Sequence, residues 1–176
     1  SERLFLYKEI GSLSYEQSKK AIEEPVRQLN VTYSEDAIEK IVAVTKGYPF
    51  FIQQLCQIIY KRTDETTIRA EQVEKCIGEF FDRLDTGFFR SRYERCAESD
   101  KKFIFAMVRC GELPCTISNV AKNLHKNVNS ISTTRAQLIN KGIIYPVRYK
   151  ELDFTVPEFS GYIKRLDEYR QWSETV

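Results

Sequence analysis

Thr116-Ile117-Ser118-Asn119-Val120-Ala121-Lys122-Asn123-Leu124 places apolar side chains at Ile117, Val120, Ala121 and Leu124, the i, i+3, i+4, i+7 spacing of an amphipathic helix. Thr116 precedes it as an N-cap, its hydroxyl able to accept a free backbone N–H. A polar turn with His125 follows. Asn129 then reads as the cap of a second helix with Ile131, Leu138 and Ile139 inward, closed by Lys141-Gly142. Ile143, Ile144 and Val147 read as one strand. Leu152, Phe154 and Val156 alternate with Glu151, Asp153 and Thr155 in another. Arg148-Tyr149-Lys150 form the tip between them. Two helices joined by a turn and followed by a hairpin make a helix-turn-helix with a β-wing, and this reading decides the second half of the chain.

Outward from this stretch the signals are helical. Phe103, Ile104, Met107, Val108 and Cys110 predict a preceding helix stopped by Gly111. Pro157 starts a last helix with Phe159, Tyr162, Ile163, Leu166 and Tyr169 inward. In the first half, Ser14-Tyr15-Glu16-Gln17 matches a capping box, and Pro25 bends or ends the helix that it opens. A second helix begins at Ser34, with Glu35 and Asp36 near the positive end of its dipole. It carries Ala37, Ile38, Ile41, Val42 and Thr45 and stops at Lys46-Gly47. A third runs from Pro49 to about Arg62, apolar on most sides as a central bundle helix is. A fourth, roughly Ala70 to Leu84, leads into the aromatic link Phe88-Phe89 to Tyr93. The expected fold is therefore mainly α. Residues 1–13 form an exit segment, 14–98 a four-helix bundle, and 99–176 a winged helix-turn-helix domain with a small β-hairpin wing.

Composition sets the outer limits. The 176 residues, 42% hydrophobic and 30% charged, fit an ordinary globular chain. No apolar run approaches the roughly 20 residues that span a bilayer, so no membrane partner is expected and the setting is read as cytoplasmic. Met107 is the only methionine, so Ser1 is expected to be a boundary within a longer protein. Residues 1–99 carry 15 basic against 17 acidic side chains, or −2, and residues 100–176 carry 12 against 8, or +4. Between Leu113 and Lys150 there is no acidic residue, while Lys122, Lys126, Arg135, Lys141, Arg148 and Lys150 all fall there. A basic stripe on a helix-turn-helix is the electrostatic footprint of a nucleic-acid reader.

Catalytic signatures do not occur. The sequence has no GxxxxGK[ST] loop to cradle phosphates, no GxSxG, and a single histidine, His125, without a ligand partner at zinc spacing. The five cysteines (Cys56, Cys76, Cys96, Cys110 and Cys115) are odd in number and contain no CxxC, so they read as free buried thiols of a reducing compartment. No metal site and no catalysis are expected from the chain itself.

GYPFFIQ (Gly47 to Gln53), the SYEQSKKAIEEP helix before it and the tail LINKGIIYPVRYKELDFTVPEF (Leu138 to Phe159) together resemble the C-terminal half of AAA+/STAND-type P-loop ATPases of the archaeal-ATPase and origin-recognition kind. The resemblance covers nearly the whole chain. It implies a four-helix lid followed by a winged helix, attached to an N-terminal ATPase core that would hold ATP and Mg. It also implies that Tyr48 and Pro49, at the start of the third lid helix, lie near that nucleotide. Many members place an arginine here against the γ-phosphate. In this chain the position is Phe50 and no Lys or Arg follows until Lys61, which leaves the helix N-terminal amides and Pro49 as the nearest groups. Tyr48, Phe50 and Phe51 read equally as core aromatics.

Two readings of the winged helix follow. In the first it contacts duplex DNA. Asn129, Ser130, Thr133, Thr134 and Gln137 face the major groove, and Lys122, Lys126, Lys141, Arg148 and Lys150 contact phosphates, which position the protein without reading sequence. Arg135 is expected to pack its stem inward and bond locally. The Ser/Thr-rich outer face implies weak sequence preference. In the second, the module is a protein-interaction or autoinhibitory arm closed on its own ATPase core through Tyr149, Trp172 and the arginine-bearing link at 88–95. A free-standing transcriptional regulator is a third, plainer alternative.

Overall fold

The computed structural model describes residues 11–175, so the expected exit segment lies outside it except for residues 11–13. The chain is mainly helical with two small sheets. It divides into two compact units, one ending at Asp82 and one beginning at Arg83.

The first unit is built on four α-helices. Helix α1 (Tyr15–Glu23) opens with the expected capping box, in which Gln17 N–H donates to the Ser14 hydroxyl and Ser14 N–H to the Gln17 side chain. Pro25 converts its end into a 3₁₀ turn, Glu24–Leu29, closed by Asn30 at φ 55°. Helix α2 (Glu35–Thr45) follows Ser34, but the Ser34 hydroxyl does not cap it. That hydroxyl donates to the Asp36 carboxylate and contacts the Ile68 carbonyl at 3.0 Å instead. Helix α3 (Pro49–Arg62) starts on Pro49 and buries Phe51, Ile52, Leu55, Ile58 and Ile59. It is less central than its composition suggests, because Phe50 is exposed. Helix α4 (Ala70–Arg83) buries Val73, Cys76 and Phe80, and the Phe51 and Phe80 rings meet edge to face at 5.9 Å. A parallel pair of two-residue strands, β1 (Thr32–Tyr33) and β2 (Thr67–Ile68), ties the entrance of α2 to that of α4. No periodicity signals so short a pair.

Lys46 (φ 54°) and Gly47 (φ 70°) turn the chain between α2 and α3 in consecutive left-handed conformations. Gly47 has a second reason to be glycine. The Gly47 carbonyl accepts the Leu13 N–H at 2.8 Å, and a Cβ at Gly47 would stand 2.6 Å from the Leu13 oxygen.

In the second unit the expected aromatic link is helical. Leu84–Phe89 widen into π-helical turns and continue as α5 (Arg90–Tyr93). The widening sets Phe89 inward, stacked on Tyr162 at 5.4 Å and near Phe159 at 5.9 Å. Helix α6 (Glu98–Arg109) is the central element, burying Phe103 through Val108 without a break. After the stop at Gly111 come β3 (Cys115–Thr116), α7 (Ile117–Asn123), a 3₁₀ turn over Asn129–Ile131, α8 (Ser132–Asn140), β4 (Ile144–Arg148) and β5 (Glu151–Phe154). The sheet order is β3-β5-β4, all antiparallel. Strand β3 is an addition to the expected hairpin, and a bulge between Pro146 and Arg148 leaves Val147 exposed. The single last helix expected from Pro157 is two, α9 (Phe159–Arg165) and α10 (Asp167–Thr175). Extended backbone at Leu166 (ψ 134°) breaks them apart. The break lets α10 fold back on α6, where Trp172 packs on Phe105 at 5.7 Å beneath the Arg109 guanidinium. Trp172 is thus half-buried, not an exposed docking residue.

Candidate nucleic-acid interface

Local chemistry sets the two helices of the motif. Asn119 N–H donates to the Thr116 hydroxyl at 3.2 Å, the expected cap of α7. At its far end His125 adopts φ 51°. His125 N–H reaches the Lys122 carbonyl and Lys126 N–H the Ala121 carbonyl, both at 3.0 Å, the paired bonds of a Schellman turn. The lone histidine is therefore the left-handed residue of the turn. Helix α8 is entered differently from expectation. The cap is Asn127, whose side-chain oxygen accepts Ser130 N–H at 2.9 Å, and Asn129 lies inside the 3₁₀ turn. A second Schellman turn ends α8: Gly142 (φ 67°) donates to Ile139 and Ile143 to Leu138, at 2.9 and 3.0 Å.

The hairpin is fixed to both helices. Lys150 C=O accepts Ile117 N–H at 2.9 Å at the start of α7. Thr155 donates its hydroxyl to the Gly142 carbonyl at 2.6 Å at the end of α8. Arg148 pairs with Glu151 across a two-residue turn, Tyr149-Lys150, with Lys150 at φ 62°. The wing is short.

On this frame Lys122, Lys126, Asn129, Ser130, Thr133, Gln137, Arg148 and Lys150 are exposed, and Thr134 is half-buried. Their chemical freedom differs. Lys122 and Lys126 have no ion-pair partner among the described residues, and Lys150 lies 5.0 Å over the Tyr149 ring. Arg148 is exposed and pairs at 3.1 Å with Glu151, whose side chain is half-buried and whose paired oxygen is buried. The Ser130 hydroxyl is spent on the Asn127 carbonyl at 2.8 Å, while the Ser132 hydroxyl bonds the Asn129 carbonyl at 2.7 Å.

Lys141 differs from the other lysines. Its ammonium is bonded to Asp100, a completely buried carboxylate on α6, and reaches the Arg95 carbonyl at 3.3 Å. Asp100 also accepts Ala97 N–H at 3.0 Å, and its other oxygen is buried without a hydrogen-bond partner. Lys141 thus neutralises a buried charge, and its pairing sets the end of α8 against α6. Arg135 carries a buried Nε without a hydrogen-bond partner, so the local bond expected of its head is not made through that atom. In the link, Arg92 lies over the Phe88 ring at 3.7 Å and Arg90 pairs with Glu94 at 2.7 Å.

In the first unit Tyr48 and Pro49 are half-buried at the start of α3, with Tyr48 edge-on to Phe51 at 4.8 Å. Among the described residues no group of three or more His, Cys, Asp or Glu side chains is placed to hold a metal, and no helix is long and apolar enough to cross a membrane.

A family model described as a domain of unknown function, DUF8462, matches residues 86–163. No curated protein matches the chain. Among solved structures the chain is similar to Thermotoga maritima RuvB. A point mutant of that protein matches at 15% identity and TM-score 0.41, over 88% of this chain and 50% of that one. The structure titled RuvB Holliday junction branch migration motor matches at 15% and 0.40 with the same coverage. The chain spans about half the length of the RuvB chains it matches.

Proposed function

We propose that residues 99–176 are a winged helix-turn-helix that grips duplex DNA by its backbone, with little sequence preference. The reading rests on one observation. An acid-free run of sequence, Leu113 to Lys150, folds into α7, α8 and the first strand and tip of the hairpin, where Lys122, Lys126 and Lys150 are exposed without an ion-pair partner among the described residues and Arg148 is exposed but paired with Glu151. Lys141 is left out of the phosphate set because its ammonium is taken by Asp100. Gln137 and Thr133 are the residues best placed to meet base edges, and neither makes the bidentate arginine contact that discriminates most strongly.

Four neutralised phosphates give a salt dependence of about −3.6 in log K per log unit of salt. Anisotropy titrations of the chain against a labelled duplex at several salt concentrations measure it. Replacing Arg148 and Lys150 together by alanine is expected to reduce the slope by about 1.8. A flat salt dependence overturns the proposal.

The wider setting follows from the resemblance to AAA+/STAND ATPases carried by Gly47–Gln53 and Leu138–Phe159. On that reading residues 14–98 are the lid, an ATPase core elsewhere in the protein holds ATP and Mg, and Tyr48 and Pro49 face the nucleotide. The winged helix is then an output arm that the core moves, in the cytoplasm. Tyr149, 86% exposed at the hairpin tip, favours a second use of the same arm, docking on its own core or on another protein. Tyr149→Ala weakening such docking while leaving the DNA salt slope intact separates the two.

A further inference from the structure

Within the second unit a cavity of about 290 Å³ opens where the first half of α6, the turn after α7, the entry to α8 and helix α10 come together. Its floor is apolar. Phe103 and Ile131 are buried there, and Leu124 and Trp172 stand half-buried beside them. Trp172 is held in place from behind by the Phe105 ring at 5.7 Å and the Tyr169 ring at 6.3 Å. The rim is cationic. Lys102 and Lys126 both line the cavity and are exposed, without an ion-pair partner among the described residues. Among those residues no Asp or Glu lines it.

Apolar and aromatic walls with a few placed polar groups are the usual make-up of a small-molecule site. The volume lies at the low end of the roughly 300–1,000 Å³ that such sites span, which suits a body of one or two rings and not a nucleotide. The floor selects an apolar body, because only such a body gains by leaving water there. Phe103 and Trp172 select a flat ring, since aromatic edges and faces attract beyond the area that they bury. The rim selects the charge: two ammonium groups unopposed by a carboxylate favour an anionic group at the mouth. A neutral ring satisfies only the floor, and a bare anion only the rim.

We propose that this cavity is a binding site for a small aromatic carboxylate, with the ring seated on Phe103, Leu124, Ile131 and Trp172 and the carboxylate held between Lys102 and Lys126. An occupant bridges α6 and α10 to the turn that joins the two helices of the motif. It also engages Lys126, one of the four cations assigned to phosphate, so a bound ligand and a duplex compete for that ammonium. This last consequence rests on the DNA reading; the binding itself does not.

The test contains no DNA, so its failure and the failure of the DNA reading are separate events. Trp172 is the only tryptophan and lines the cavity, so its emission reports occupancy directly. The whole chain is titrated with sodium benzoate at ionic strength held constant with sodium chloride, and its thermal midpoint is recorded with and without the ligand. Saturable change in Trp172 emission and a raised midpoint are expected, since a ligand that binds only the folded state stabilises it. Benzyl alcohol, which keeps the ring and lacks the charge, should bind about tenfold more weakly or worse. Acetate, which keeps the charge and lacks the ring, should leave the emission unchanged, and cyclohexanecarboxylate should bind more weakly than benzoate. Lys102→Met with Lys126→Met keeps both stems and should weaken benzoate about tenfold or more at an unchanged ligand-free midpoint. The proposal is overturned if neither emission nor midpoint responds to benzoate, if any of the three analogues matches it, or if the double variant binds it as the native chain does. The analogue series is read on the native chain, whatever the variant's folding.

Discussion

Replacing Lys141 by methionine keeps the length and apolar stem of the side chain and removes only its ammonium. Asp100 would then be a carboxylate with no exposed surface, keeping one donor, Ala97 N–H at 3.0 Å. Stranding a buried charge costs about 3–5 kcal/mol when nothing else reaches it. Here the Lys141 side chain is 38% exposed, so water follows the departed ammonium, and the expected loss is nearer about 2–3 kcal/mol. For a unit of fewer than about 100 residues that corresponds to a fall in Tm of roughly 8–24 °C. Trp172 is the only tryptophan and lies in the same unit, so its fluorescence during urea unfolding of the whole chain isolates the effect. Asp100→Asn combined with Lys141→Met should recover more than about 1 kcal/mol of the sum of the single losses. Salt should change the loss little, because buried pairs are poorly screened. The reasoning is refuted if Lys141→Met leaves stability within about 0.5 kcal/mol and instead removes about 0.9 from the DNA salt slope, as a phosphate contact would.

Gly47→Ala should destabilise the first unit by about 2 kcal/mol or more. It combines a left-handed φ of 70° with a Cβ 2.6 Å from the Leu13 oxygen. Far-UV circular dichroism in urea measures this, and a loss below about 0.5 kcal/mol contradicts the geometry. Thr116→Ala should cost about 1 kcal/mol through the lost cap on α7, seen in the Trp172 transition, with Thr116→Ser close to wild type. Burial raises the Asp153 carboxyl above its ordinary value, so the charged form is the one that folding disfavours. Its share of the stability is full below the unfolded carboxyl pKa of about 3.9 and is lost as pH rises through the higher folded value. Asp153→Asn should therefore stabilise the chain at pH 7 and change little at pH 3. The Phe154 N–H now donating to Asp153 at 2.7 Å keeps a side-chain oxygen to bond. Urea midpoints at the two pH values decide it, and an equal effect at both contradicts the assigned cause.

Helix boundaries written in local chemistry were legible in the sequence. The Ser14 capping box, Pro49 at the first position of α3, Thr116 over α7 and Gly142 after α8 each satisfy backbone groups within a few residues. What depends on distant partners was not. Periodicity cannot announce strand pairs two residues long, β1 with β2 and β3 with β5, because they are made by residues 35 to 37 positions apart. Two asparagines stand two residues apart before α8, and Asn127 is the cap because the chain enters through a 3₁₀ turn. The Leu166 break is invisible in an apolar pattern that runs on to Tyr169, since the folding back of α10 is decided by the Phe105–Trp172 contact. In the candidate interface, charge alone grouped Lys141 with the other lysines. Its partner lies on α6, 41 residues away, and only the fold separates a lysine that holds the motif together from those free to meet phosphate.

The salt dependence of duplex binding tests the central claim most directly. The chain is titrated against a labelled duplex of arbitrary sequence from low to physiological salt. A slope of about −3.6, reduced by about 1.8 in Lys122→Ala with Lys126→Ala and little altered by a second duplex sequence, is the predicted result. Binding that is absent or insensitive to salt contradicts the assignment of this face to DNA.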